Sequence, residues 1–371
     1  RSAITALIVT TFGGLAMLAG LIMLAHAAGS WRISGVLAAA PRLLADDGGR
    51  VLLEVAVGLV LIGALTKSAQ APFHFWLPGA MAAPTPVSAY LHAAAMVKAG
   101  VFLVARLAPA FHELATWQVL VLGLGLWTLL LGGWRALRQT DVKLVLAYGT
   151  VSQLGFLMVA NGLGVRDAAL AGLAMLLAHA LFKAPLFMVV GIIDHEAGTR
   201  DLRELSGIGR RHPVLAAVAV LAAASMAGLP PLFGFVAKEA VLQSLTDHGA
   251  AHGGLLAWAP LVLMAVGSVL TVAYTWRFLW GAFATKRTPE GAPVPATRFH
   301  TRVTFLELAP AGLLALTGLV LAVLPGPLEH LLAAHTATIP ALDPAASPAH
   351  LALWHGWTPI LALSAGVWVL G

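Results

Sequence analysis

Residues 66–78 read Thr-Lys-Ser-Ala-Gln-Ala-Pro-Phe-His-Phe-Trp-Leu-Pro, inside a run that is otherwise apolar from about residue 51 to residue 82. A proline within a helix removes one backbone hydrogen bond and clashes with the preceding turn. In a bilayer such a break survives only where protein or a water-filled cavity satisfies the freed backbone groups. The stretch therefore predicts a transmembrane helix broken near its middle, with Lys67, Ser68, Gln70 and His74 gathered at the break. A second run behaves alike: residues 228–239 read Gly-Leu-Pro-Pro-Leu-Phe-Gly-Phe-Val-Ala-Lys-Glu, with Lys238 seven residues past Pro231.

The composition sets the same class for the whole chain. Hydrophobic residues make up 59% and charged residues 10%, and the mean hydropathy is +0.88. Soluble domains are roughly 25% charged. With about 20 apolar residues needed per span, the sequence predicts ten spans, at about 4–25, 51–82, 86–106, 117–134, 144–160, 168–193, 214–246, 255–284, 303–325 and 351–371. The expected fold is one all-α polytopic membrane domain over residues 1–371. The first residue is Arg1 and the last apolar run has no polar end, so a piece of a longer protein, cut at both ends, is expected.

Several chemistries are excluded. The chain has no cysteine, hence no disulfide and no thiolate-held cluster. The 14 histidines fit no zinc spacing, and His248, His252, His330, His335, His350 and His355 fall in outer connectors. Gly123-Leu124-Gly125 lacks the lysine and strand of a phosphate loop, and no elbow motif anchors a hydrolase triad. No metal, cofactor or nucleic acid is expected, since the net charge of +6 has no soluble basic domain to carry it.

The 22 basic residues instead mark the two faces of a membrane. Threading ten alternating spans places twelve on one face: Arg1, Arg135, Arg138, Lys143, Arg200, Arg203, Arg210, Arg211, Lys286, Arg287, Arg298 and Arg302. The other face receives five, Arg32, Arg42, Arg50, Arg106 and Arg166. The richer face should be cytoplasmic. The two broken spans are separated by a number of helices that makes them run in opposite directions, as an inverted repeat requires.

Four of the six lysines, Lys67, Lys98, Lys183 and Lys238, lie inside apolar stretches. An ammonium group at the centre of a spanning helix costs about 2.5–3.5 kcal/mol on insertion scales. A role in moving charge is one explanation; bracing of exposed carbonyls at a break is the other. His92 and Lys98 share the third stretch, six residues and so about 9 Å and 120° apart on a regular helix. His179 and Lys183, four apart, stack on one face about 6 Å apart, and Asp194 returns to that face near the cytoplasmic end. Glu239 points about 100° away from Lys238 and is expected to pair with another helix or with a partner protein. Arg277 reads as structural.

Residues 66–100 (TKSAQAPFHFWLPGAMAAPTPVSAYLHAAAMVKAG) resemble the antiporter-like subunits shared by Mrp-type multisubunit sodium/proton antiporters and the proton-pumping arm of respiratory complex I. TDVKLVLAYGTVSQLG (140–155), HALFKAPLFMVVGIID (179–194) and GLPPLFGFVAKE (228–239) agree. The resemblance covers roughly residues 1–285 and is strongest to the large A-type member of the Mrp assembly. It implies a fourteen-helix core with inverted repeats, whose first five helices lie before residue 1. Lys67 and Lys238 take the places of the lysines in the two broken helices. His92 and Lys98, and His179 with Lys183, take those of the relay helices between them. The acid expected to face Lys67 lies outside the chain.

The resemblance further implies an ion transporter subunit of a bacterial plasma membrane, without enzymatic chemistry, working with other antiporter subunits on Na+ and H+. Two alternatives stand beside it: a pumping subunit of complex I or a membrane-bound hydrogenase, and a scaffold whose lysines only brace broken helices.

Overall fold

The computed structural model describes residues 2–342, 349–354 and 356–371, so Arg1 and His355 lie outside the described residues. Among the described residues the fold is helical, with two isolated bridges and no strand. In chain order, α1 (Ser2–Ala28) is followed by α2 (Ile33–Ala45) in the first connector. The second stretch contains α3 (Arg50–Lys67) and α4 (Trp76–Gly79), the third α5 (Thr85–Ser88) and α6 (Lys98–Phe111), and the fourth α7 (Ala115–Trp117) and α8 (Leu124–Leu137). Then come α9 (Val142–Gly162), α10 (Arg166–Ala197), the short α11 (Ile208–Arg211), α12 (Pro213–Ala227), α13 (Phe233–His252) and α14 (Gly254–Phe283). The chain closes with α15 (Phe305–Val323), α16 (Gly326–Thr336) and α17 (Pro359–Leu370).

Among the described residues, seven helical stretches are long and apolar enough to cross a membrane: 2–28, 85–111, 115–137, 142–162, 166–197, 254–283 and 305–323. The second and seventh expected spans are each in two pieces, as their prolines predicted, and the last falls on the shorter α17. α9 is enclosed on nearly all sides, whereas α1, α14 and α15 expose apolar side chains around the perimeter. An outward apolar surface is what lipid contact requires.

Local signals start and stop these helices. The carboxylate of Asp141 accepts from the backbone N–H groups of Lys143 and Leu144 at 2.8 and 3.1 Å, an N-cap that opens α9. Thr304 and Glu307 form a capping box at α15. Gly228, at φ 77°, ends α12 in the left-handed conformation that costs a side-chain-bearing residue about 1–2 kcal/mol.

Connector contacts sort into two faces. On the basic face, Val142 N–H donates to Arg200 O, Arg277 to Gln139 O and His300 N–H to Glu196 O, while the Lys286 ammonium reaches Leu202 and Leu205 carbonyls. On the opposite face, Arg166 holds the carbonyls of Ile339 and Pro340, Arg106 meets His335, and Thr116 N–H donates to Glu54. This is the partition that the charge count predicted.

One expectation changes. The third stretch is not a regular helix between His92 and Lys98. A π-helix occupies Ala89–Ala94, the backbone leaves helical geometry at Ala95 (φ −120°, ψ −77°), and α6 begins at Lys98. The six-residue offset on one cylinder therefore does not describe this pair. π-turns are rare and recur at functional sites.

Candidate site: a buried cationic axis

At the first break, Ser68 N–H still donates to Ala64 O at 2.9 Å and closes α3. Ala69 then takes φ 48°, and Ala71 N–H is satisfied by Thr128 Oγ1 at 2.9 Å. Trp76 Nε1 returns across the break to Thr66 O at 3.0 Å. The side chains are less well satisfied: Ser68 Oγ, Gln70 Oε1 and His74 Nδ1 are buried without a protein partner. The ammonium of Lys67, half-buried at the end of α3, makes no hydrogen bond or ion pair among the described residues.

α6 lies against the end of α3 through Gly100. A Cβ there would stand 2.2 Å from Ala64 O and 2.4 Å from Ser68 Oγ, so only glycine permits the approach. The contact brings Lys98, two residues earlier, to the neighbourhood of the first break. Lys98 Nζ is buried and has no partner among the described residues. His92 stands between Trp76 and Phe187, each ring 6.3 Å away, and its Nδ1 is also unpartnered.

His179 and Lys183 are fully buried on α10. Lys183 Nζ donates to Leu146 O at 3.2 Å and stands 5.9 Å from the centre of the Tyr274 ring. The Tyr274 hydroxyl belongs to a buried network with Gln153 at 3.3 Å, Thr271 at 3.3 Å and Gly149 O at 3.4 Å. Both ring nitrogens of His179 lack a partner among the described residues, and the ring is within electrostatic reach of both Lys98 and Lys183. The structure thus brings Lys98, His179 and Lys183 into one buried neighbourhood.

At the second break, Lys238 Nζ donates to Ala227 O at 3.2 Å and reaches Met226 O at 3.5 Å. Glu239 is buried and accepts from Ser364 of α17. It also lines a cavity of about 400 Å3 together with Gln243, Asp247 and Asp167 near the outer face. Glu239, Gln243 and Asp247 follow at four-residue intervals on one face of α13, and Gln243 Nε2 donates to Asp247 at 2.8 Å.

Other residues sort differently. Asp194 lies 3.9 Å from Arg200 at the basic face, where the guanidinium also meets Asp141 at 3.2 Å. Arg277 binds the Gln139 carbonyl at 2.8 and 3.2 Å, a bracing role. Lys143, which the sequence placed in a basic connector, is instead buried in the first turn of α9, with Nζ donating to Ala83 O at 2.7 Å. The signal was available: an Asp N-cap at 141 puts residue 143 inside the helix. No cluster of three or more metal-ligating side chains exists among the described residues.

The chain is 42% identical over 371 residues to a probable K+/H+ antiporter protein of the A/B type from Rhizobium meliloti, covering 98% of this chain and 36% of that protein. It is 39% identical to the A-type protein of a Na+/H+ antiporter from Alkalihalophilus pseudofirmus, covering 98% of this chain and 47% of the relative. It therefore spans less than half the length of these relatives. Among solved structures, a Mrp complex from Dietzia sp. DQ12-45-1b matches with a TM-score of 0.86 and 40% identity, over 100% of this chain and 38% of that one. A membrane-bound sulfane sulfur reductase, an archaeal respiratory complex, shares the fold at a TM-score of 0.75 and 24% identity, over 92% of this chain and 66% of that one. Residues 1–271 match the family described as NADH:quinone oxidoreductase/Mrp antiporter, transmembrane. With that match and the two-break helical bundle in agreement, the chain belongs to this family of antiporter-like membrane proteins.

Proposed function

We propose that this chain forms the ion-translocating core of one subunit in a multisubunit monovalent cation/proton antiporter of a bacterial plasma membrane. Protons pass between Lys67, Lys98 with His92, His179 with Lys183, and Lys238. The work is electrostatic switching rather than bond chemistry, and other antiporter subunits complete the assembly. The relatives' names differ between K+ and Na+, so both cations belong in any assay.

One observation carries this reading against the bracing alternative. A lysine that braces a broken helix is bonded to carbonyls, as Lys238 is. Lys98 Nζ and both nitrogens of His179 are buried with no partner among the described residues. An unsatisfied buried polar group costs about 1–3 kcal/mol, more when charged, which a purely structural core avoids. Water is the natural partner for such groups, and a hydrated lysine–histidine–lysine series is a path for protons. The cavity beside Glu239, lined in part by Gln243, Asp247 and Asp167, supports access from the outer face.

The test is cation-dependent dissipation of a pH gradient in everted vesicles carrying the whole complex. Lys98→Ala and Lys183→Ala should each abolish Na+- and K+-driven flux at normal levels of assembled complex. Undiminished flux in both would return these lysines to a bracing role.

A further inference from the structure

A groove of about 840 Å3 descends from the basic face between α5, α10 and α15. Its floor follows Ile192, Met188 and Ala184 of α10, and Tyr90, strongly exposed, stands on its open side. From Asp194 at the mouth to Ala184 at the end is ten residues, or about 15 Å of helix rise. That is half of the roughly 30 Å hydrocarbon core, the depth of one leaflet.

The mouth differs in charge from its surroundings. Asp194, Glu196 and Glu307 line it on the face that the basic connectors otherwise dominate. Glu196 is occupied by Thr301 N–H and His195. Glu307 spends one oxygen on its capping box, and Asp194 spends one on Arg200, 3.9 Å away. Each of the latter two keeps an oxygen for a cation, and the Arg200 guanidinium beside Asp194, which also meets Asp141 at 3.2 Å, is suited to phosphate.

We propose that this groove binds a phospholipid of the basic-face leaflet with a primary-amine head group. The ammonium sits at Asp194 and Glu307, the phosphate faces Arg200, and one acyl chain lies along Ile192 and Met188 down to Ala184. Charge complementarity favours an amine over an anionic head group, which the carboxylates repel. The site goes beyond ion exchange: its end is Ala184, the sequence neighbour of the buried Lys183.

The test uses the full complex in bilayers of mixed phosphatidylethanolamine and phosphatidylglycerol. Photoactivatable forms of each lipid carry the same diazirine-bearing chain, and cross-linked peptides are mapped by mass spectrometry. The ethanolamine probe should label segments 84–90 and 184–192 several-fold more than the glycerol probe. Combining Glu307→Gln, which retains a capping side chain, with Asp194→Asn should erase that preference while chain labelling persists. Absence of labelling, as when a partner helix fills the groove, overturns the site, and equal labelling by both probes overturns the head-group assignment. Neither readout depends on ion flux, so the result stands apart from the transport test.

Discussion

Lys238 Nζ donates to Ala227 O at 3.2 Å across the second break, so one ammonium group closes the C terminus of α12 from a position five residues inside α13. Lys98, beside the first break, does the reverse: it is buried and makes no such bond. Because the two broken spans run in opposite directions, Lys67 before its break and Lys238 after its own both fall on the outer-face side. The two broken spans therefore carry unlike lysines, one whose ammonium is tied to the backbone and one whose ammonium makes no bond among the described residues.

Lys238→Arg separates bracing from proton transfer. Arginine keeps the positive charge and the donors that reach the Ala227 carbonyl, but its guanidinium does not release a proton at physiological pH. Assembly should stay near the unsubstituted level while flux falls at least tenfold. Flux within twofold of normal would show that Lys238 is a helix cap and nothing more.

The Gly100 contact predicts a sharp steric effect. In Gly100→Ala the new Cβ would stand 2.2 Å from Ala64 O, a backbone atom that cannot swing aside. Overpacking of this kind costs about 1–3 kcal/mol. Thermal unfolding of the purified complex should shift down, with less complex recovered. Gly14→Ala, which meets nothing within 4 Å, should leave both unchanged.

What was legible before the structure was the chemistry that proline dictates. Pro72 and the Pro230–Pro231 pair located both breaks, and the loop charges located both faces. The π-helix at Ala89–Ala94 was not legible, because Ala-Tyr-Leu-His-Ala-Ala contains neither glycine nor proline and propensity alone reads it as α-helix. Lys143 was misplaced because a charge two residues past an aspartate resembles a loop when the cap is ignored. The proximity of Lys98 to His179 is tertiary, set by Gly100 and by α10, and no local pattern encodes it.

Tyr274 offers a graded test of the Lys183 environment. The ring, 5.9 Å from Nζ, stabilises the ammonium through its π face, worth about 0.5–2 kcal/mol. Tyr274→Phe keeps the ring, and Gln153 still has Thr271 at 3.0 Å, so flux should stay within about twofold. Tyr274→Leu removes the ring and should slow cation-driven flux about fivefold, as read by dye dequenching. Equal rates in the two variants would remove the ring from the account.

The last prediction concerns the outer face. Arg106 Nη1 lies 3.1 Å from His335 Nδ1. A guanidinium only donates, so Nδ1 must hold a lone pair and His335 must be neutral to keep α16 latched to α6. Burial first, and then the Arg106 charge, push the His335 imidazole below its ordinary value near 6.5. A histidine whose folded pKa is depressed binds fewer protons folded than unfolded, so its contribution is complete above about 6.5 and shrinks as pH falls below it. Hydrogen exchange in residues 326–342 should therefore be slow at pH 7.5 and, after correction for the intrinsic rate, several-fold faster at pH 5.5. His335→Gln, which does not titrate, should flatten that dependence. A pH response that survives the substitution would place the sensor elsewhere.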